Sequence, residues 1–241
     1  MKKMFALALA MMMALCSLSA LAEDVIIVAT NPEYPPFEYV EGEATIGYDI
    51  DMFDAIAKKA GFEYEISPMA FDAVVSAVAT DVNTVGLSGI SITDERKLSV
   101  NFSEGYINAG LVVIVKADSG YETAEQLKGK MIGVQQGTTG ESYARDNAGD
   151  AEVVSFQTDA ELFPALQAGA IDAVLQDLPV NLDHTDGGAF TISATYETDE
   201  VYGFAMKKDG SEELASAVNA QLTELRNNGK YQELYDKYFT E

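Results

Sequence analysis

The chain has 241 residues, enough for one large domain or two small ones with sizeable cores. It carries 39 acidic residues against 15 basic ones, a formal charge of −24. That balance argues against nucleic acid or an anionic membrane surface as partner.

Lys2 and Lys3 precede an apolar run from Met4 to Leu15, and Ala20-Leu21-Ala22 is a small-x-small cleavage pattern. Residues 1–22 are therefore expected to be a secretory signal peptide. Losing the positive charges of Lys2 and Lys3 takes the net charge from −24 to −26. It also removes Cys16, the one cysteine, so the exported fold must stand without disulfides. Cys16 raises the alternative of a lipid anchor, but the large Leu15 before it fits that processing poorly.

Residues 25–30, VIIVAT, read as a buried strand of a parallel sheet. Pro32, Pro35 and Pro36 then impose an extended loop at the strand's carboxyl end, where open α/β sheets bind ligands. Tyr34 and Phe37 are candidate pocket walls, Phe37 the better placed to cap the core. Tyr48 to Ala60 carries one apolar stripe and stops at Gly61, which predicts a helix. A strand over 62–66, a helix from Asp72 to about Thr80 and a strand at 85–87 complete a βαβ alternation.

The stretch SGISITDERK at 88–97 concentrates chemistry. Thr93 suits an N-cap, with Asp94 and Glu95 in a first helical turn and Arg96 beside its free N–H groups. A guanidinium, the Ser91 hydroxyl and the Gly89 backbone converge within eight residues, a set suited to the carboxylate and ammonium of a free amino acid.

Further on, strands are predicted at 111–115, 131–134, 152–156, 171–175 and 201–206. Thr123 with Gln126 and Thr158 with Glu161 form capping boxes, the second opening a helix through Ala168. QQGTTGE at 135–141 presents N–H groups at a helix start but lacks the lysine of a nucleotide loop. Asp177 lies at a strand's carboxyl end, placed to meet an ammonium group. His184, the only histidine, sits in a polar turn with no neighbouring metal ligand and is read as a surface residue. Helices are predicted over 212–226 and 231–239.

The segments ATNPEYPPFEY (29–39), GYDIDMFDAIAKKAG (47–61), GISITDERK (89–97), FSEGY (102–106), GVQQGTTGE (133–141), DAVLQDLPV (172–180) and NGKYQELYDKYF (228–239) resemble, in order and spacing, the polar amino-acid-binding proteins of bacterial ABC importers, the family-three extracellular solute-binding proteins. The resemblance covers essentially the whole mature chain. It implies an α/β fold of the type II periplasmic-binding-protein class, with two lobes joined by two crossover hinge strands. One lobe would span 23–113 plus 205–241 and the other 116–202, with crossovers at 111–116 and 201–206. Ligand in the cleft would close such a hinge.

The resemblance also implies roles. Arg96 would pair with the ligand α-carboxylate, helped by the Ser91 hydroxyl and the Thr139 backbone N–H. The Gly89 carbonyl and Asp177 would take the α-ammonium, and Tyr34 and Phe71 would sandwich the side chain. Relatives that prefer basic ligands often carry an acidic residue where this chain has Asn31. Glutamine-binding ones often carry Lys at Gln135 and His at Gln176. Amides at all three positions favour a neutral polar side chain, glutamine or cystine-like, slightly over a basic one, although Glu33 could restore negative charge. The implied protein is a monomeric exported receptor that delivers an amino acid to an ABC permease from the periplasm or the outer face of the cytoplasmic membrane. It needs no cofactor, metal or nucleic acid and does no chemistry. The rival is a dehydratase-like enzyme acting on a carboxylate, for which only Glu33 and Asp177 offer a nearby acid or base.

Overall fold

A computed structural model describes residues 25–147, 149–181, 185, 187–196 and 198–240. The expected signal peptide, Cys16 and His184 lie outside the described residues. Two five-stranded sheets organise the chain. In the first, Tyr64–Pro68, Ile26–Thr30 and Thr84–Gly86 run parallel, followed by Ala205–Lys207 and Val100–Phe102. In the second, Glu152–Phe156, Met131–Gln135 and Ala173–Asp177 run parallel, followed by Leu111–Lys116 and Phe190–Tyr196. Both have the same plan: three parallel strands with the first in the middle, then an antiparallel strand, then an edge.

The antiparallel strand of each sheet is what ties the lobes together. Leu111–Lys116, expected as a crossover, is a full member of the second sheet, hydrogen-bonded on both sides. Ala205–Lys207 returns to the first sheet after the chain has built the second. The passage between lobes is made by a shorter antiparallel pair, Ile107–Asn108 with Val201–Tyr202. Two strands of two residues each offer few hydrogen bonds to resist bending, as a hinge requires.

Each sheet is covered on both faces, as its apolar parallel strands demand. In the first lobe, helices Tyr48–Ala60, Glu212–Asn227 and Lys230–Phe239 pack on one face and Phe71–Thr80 on the other. Tyr48–Ala60 buries Ile50, Met52, Phe53 and Ile56 and ends at Gly61, whose φ of 82° is a left-handed cap that glycine adopts without strain. In the second lobe, Thr139–Asn147 and Leu162–Ala168 cover opposite faces.

Several elements depart from the sequence reading, among them the strand expected over 201–206, which is split into Val201–Tyr202 and Ala205–Lys207 in different sheets. The helix expected after Thr93 is a single 3-10 turn, Arg96–Leu98. The Thr93 Oγ1 accepts the Arg96 N–H at 3.1 Å, although Glu95 holds the cap position, and Leu98 is 75 % exposed, so a longer helix had no apolar stripe to bury. The proline-rich loop folds into a small sheet, Glu33–Tyr34, Glu38–Glu41 and Ala44–Ile46. The strand Phe190–Tyr196 was not foreseen, because its edge position and its bulge between Ile192 and Ala194 blur the alternation.

Candidate functional site

The carboxyl ends of the parallel strands of both sheets meet at one cleft. Asn31 follows Ile26–Thr30, and Ser88 and Gly89 follow Thr84–Gly86. Gln135 ends Met131–Gln135, and Asp177 ends Ala173–Asp177. Between them lies a narrow, nearly closed cavity. The first lobe lines it with Asn31, Tyr34, Phe71, Gly89, Ser91 and Arg96, and the second with Gln135, Thr139 and Asp177. All nine sequence-predicted site residues therefore border the same space. Ser88 and Thr138 border it as well and were missed. Phe37 does not: it is fully buried against Tyr34, Tyr48, Tyr202 and Phe239.

Arg96 is held without a counter-ion. One guanidinium nitrogen, Nη1, donates to the Ser91 carbonyl at 2.9 Å, and Nη2 donates across the cleft to the Gly137 carbonyl at 3.0 Å. The guanidinium lies 5.5 Å from the centre of the Phe71 ring. Among the described residues it forms no ion pair. Burial lowers its pKa, and Asp177 and Glu200 oppose that, so the group stays cationic. Its position beside a one-turn 3-10 segment replaces the expected helix N-terminus as the reason it is fixed.

Asp177 is the opposite pole. It is buried, and its Oδ2 accepts hydrogen bonds from the hydroxyls of Tyr34, at 3.1 Å, and Tyr202. Burial pushes its carboxyl up to about 6, the Tyr202 bond pulls it down, and the Glu200 charge pushes it up again. It too lacks an ion-pair partner among the described residues. A half-buried guanidinium and a buried carboxylate thus border one cavity, and among the described residues neither forms a salt bridge.

The floor under the first-lobe half is pinned from behind. The Asn31 N–H donates to Ser88 Oγ at 3.1 Å, and Ser88 Oγ donates to Glu38 Oε1 at 2.9 Å. The Gly89 N–H donates to Asp49 Oδ2 at 3.2 Å, which also accepts the Tyr106 hydroxyl at 2.6 Å. Glu38 and Asp49 are both fully buried, and burial raises both carboxyls, Glu38 further through the charge of Asp49. Gly89 has φ 52°, and a Cβ there would sit 2.9 Å from the Tyr34 ring, so only glycine fits.

Glu200 is a participant that sequence reasoning missed. Its Oε2 accepts the hydroxyls of Ser91, at 2.9 Å, from one lobe and Thr139, at 3.0 Å, from the other. A glutamate in a polar run before a short strand carries no sequence signal of such a role. With Tyr34 to Asp177, Arg96 to Gly137 and Gln135 to Asn31 at 3.1 Å, it holds the cleft shut.

The comparisons with known proteins bear on this geometry. The family model for bacterial extracellular solute-binding proteins, family 3, matches residues 26–241. The chain belongs to this family. It is similar to the arginine-binding extracellular protein ArtP of Bacillus subtilis, 31 % identical over 224 residues, covering 89 % of this chain and 86 % of that one. It is as similar to the L-cystine-binding protein TcyJ of Escherichia coli K12, 31 % identical over 220 residues, covering 89 % and 82 %. Among solved structures, an ancestral arginine-binding protein bound to arginine superposes with a TM-score of 0.82 at 35 % identity, covering 89 % and 98 %. The family assignment makes this an amino-acid-binding protein of the ABC-transporter class and not an enzyme. These family members are named for arginine or cystine, which lends no support to the neutral side chain slightly favoured from the three amides over a basic one. In the structure the Gln135 Nε2 donates to Asn31 and the Gln176 Nε2 to Asp159, so both amide nitrogens are already engaged within the protein.

Proposed function

We propose that this protein is the capture component of an ABC importer, a monomeric receptor outside the cytoplasmic membrane that encloses a polar L-amino acid between its lobes and delivers it to the permease. The observation that carries the proposal is a pair of opposite charges, the half-buried Arg96 and the buried Asp177, which form no ion pair among the described residues and are supplied to one cavity by different lobes. A zwitterion satisfies both at once. Its α-carboxylate takes a forked pair of N–H donors from Arg96, with the Ser91 hydroxyl and the Thr139 backbone in support. Its α-ammonium meets Asp177 and the Gly89 carbonyl, while Tyr34 and Phe71 flank the side chain. Asn31 and Gln135 border that side chain as part of the wall.

Binding needs no bond making. Micromolar capture corresponds to about −8 kcal/mol, within reach of one forked ion pair, several charge-assisted hydrogen bonds and two aromatic contacts. The test is a thermal-shift screen of the ligand-free protein against the twenty amino acids, cystine, ornithine and citrulline. A cognate ligand at a hundred times its dissociation constant adds about 2.7 kcal/mol, or roughly 5–10 °C for a chain of this size. A flat response across the whole panel would sink the receptor reading.

A further inference from the structure

Tyr202 does not border the cavity, yet its hydroxyl ends on one of the cavity's two charged poles. It is fully buried in the first-lobe core, its ring 5.2 Å from that of Phe37 and 6.4 Å from that of Tyr106. Its backbone belongs to the crossing between the lobes, where it pairs with Ile107. The Ile92 N–H donates to the Val201 carbonyl at 2.9 Å, and the Gly203 N–H donates to the Ile90 carbonyl at 3.0 Å. These bonds stitch the segment that carries Ser91 to the same strand. The Ser91 carbonyl in turn holds Arg96. One tyrosine therefore stands between the guanidinium pole, the crossover and the carboxylate pole.

At the carboxylate pole the two oxygens of Asp177 are used differently. Oδ2 accepts both tyrosine hydroxyls, those of Tyr34 and Tyr202, and among the described residues no hydrogen bond ends on Oδ1. Hydroxyls that donate to a carboxylate make charge-assisted bonds, stronger than neutral ones. The terminal torsion of an aspartate is otherwise soft, so two such bonds on one oxygen fix it and leave the other oxygen for a ligand. Tyr34 shares this task with flanking the ligand. Tyr202 is set back behind Gly89, where a Cβ would sit 3.2 Å from its ring. Burial raises the Asp177 carboxyl. Of the titratable and charged groups that face it (Tyr202, Glu200, Tyr34, Arg96 and Asp159), Tyr202 does most to return it toward the ionised form that an ammonium needs.

We propose that Tyr202 is a positioning residue: from the crossover strand its hydroxyl sets the Asp177 carboxylate so that Oδ1 receives the ammonium group of the amino acid. This rests on the receptor reading above. Calorimetry of the wild type and Tyr202→Phe tests it, with L-arginine, L-cystine and L-glutamine as probes, from pH about 5 to about 8. Phenylalanine keeps the ring in its core and removes only the hydroxyl. Affinity for the probe that binds should fall about tenfold at pH about 7.5, the loss expected of a charge-assisted hydrogen bond. The acid limb of the affinity profile should also move up by about half a pH unit or more, because Asp177 loses a donor that favours its ionised form. Added to Asp177→Asn, the same change should cost less than about twofold more. Unchanged affinity, an unshifted acid limb, or the full loss repeated on top of Asp177→Asn makes Tyr202 a packing residue and overturns the inference, leaving the receptor reading standing. Should Tyr202→Phe fail to fold, NMR of the wild type decides. Its Tyr202 hydroxyl proton should exchange slowly and shift as the pH passes through about 6, where Asp177 titrates, and a freely exchanging or unshifted proton overturns the inference. Failure of these three probes and of every other amino acid to bind overturns both readings.

Discussion

The two lobes share one strand plan but are filled differently. The first lobe packs its main core with rings: Phe37, Tyr48, Phe53, Tyr106, Tyr202 and Phe204 are all nearly or fully buried there. It also buries two carboxyls, Glu38 and Asp49, which hold the floor of the site from behind. The second lobe packs mainly aliphatic strands, Leu111 to Val115 and Ala173 to Leu175. Its buried carboxyls, Asp159 and Asp177, lie at the cleft. The difference fits the proposed receptor if the first lobe serves as a prebuilt half-site and the second as a lid whose few polar groups complete it. On this view an amino acid docks first against Arg96, Gly89 and the aromatic wall, and closure then brings Asp177, Gln135 and Thr139 onto it.

Removing the first-lobe anchor should have the largest effect. Arg96→Ala deletes the guanidinium half of the proposed charge pair with the ligand, a loss of about 2–5 kcal/mol, or thirtyfold and more in affinity. The ligand-free protein should stay folded, because its guanidinium bonds only two backbone carbonyls. Calorimetry that found unchanged affinity would take Arg96 out of the site and reduce the prebuilt half to a packing feature.

The second-lobe pole can be titrated rather than cut. Asp159 and Asp177 have carboxyls raised to about 7 and about 6, from an ordinary value of 3.8, so between these values the folded chain holds more protons than the unfolded one. Their contribution to stability is full below the ordinary value and lost as pH rises through about 6 and 7. The ligand-free protein should therefore melt at a higher temperature at pH about 5 than at pH about 7.5. Ligand binding should run the other way. The ammonium needs Asp177 ionised, so affinity should drop by up to about tenfold per pH unit below about 6. A pH-independent affinity across that range would remove Asp177 from the ammonium site.

The smallest effect is expected between the lobes. Glu200→Gln keeps the size of the group that joins Ser91 to Thr139 but makes those bonds neutral. Each charged bond is worth about 1.5–3 kcal/mol against about 1 for a neutral one, and part is recovered by water, so affinity should fall only a few-fold. Small-angle scattering should show the ligand-free ensemble opening. An unaltered ensemble would mean that Glu200 does not hold the cleft.

Much of this site was legible in local chemistry. Asn31, Gly89, Gln135 and Asp177 could be placed at strand ends because apolar runs stop there, and Arg96 stood out as a cation beside a hydroxyl and a glycine. What stayed hidden were groups whose partners are distant in the chain. Glu200 meets Ser91 across 109 residues, and Tyr34 meets Asp177 across 143. Glu38 and Asp49 looked like ordinary polar positions flanking apolar ones, and nothing in their neighbours announces burial. Asp159 lies in the first turn after the Thr158 cap, where an acidic residue gives no sign of burial.

By itself, the amino-acid order determined the βαβ alternation, the stop at Gly61, and which polar residues sit at strand ends, because those depend on propensity and periodicity over a few residues. Only the tertiary structure decided which lobe each strand joins, that the three amides bond to Asn31, Met69 and Asp159, and that the opposite charges lining the cavity are Arg96 and Asp177. Those outcomes depend on burial and on pairings across tens of residues, and the cost of an unpaired charge exists only once folding has removed the water around it.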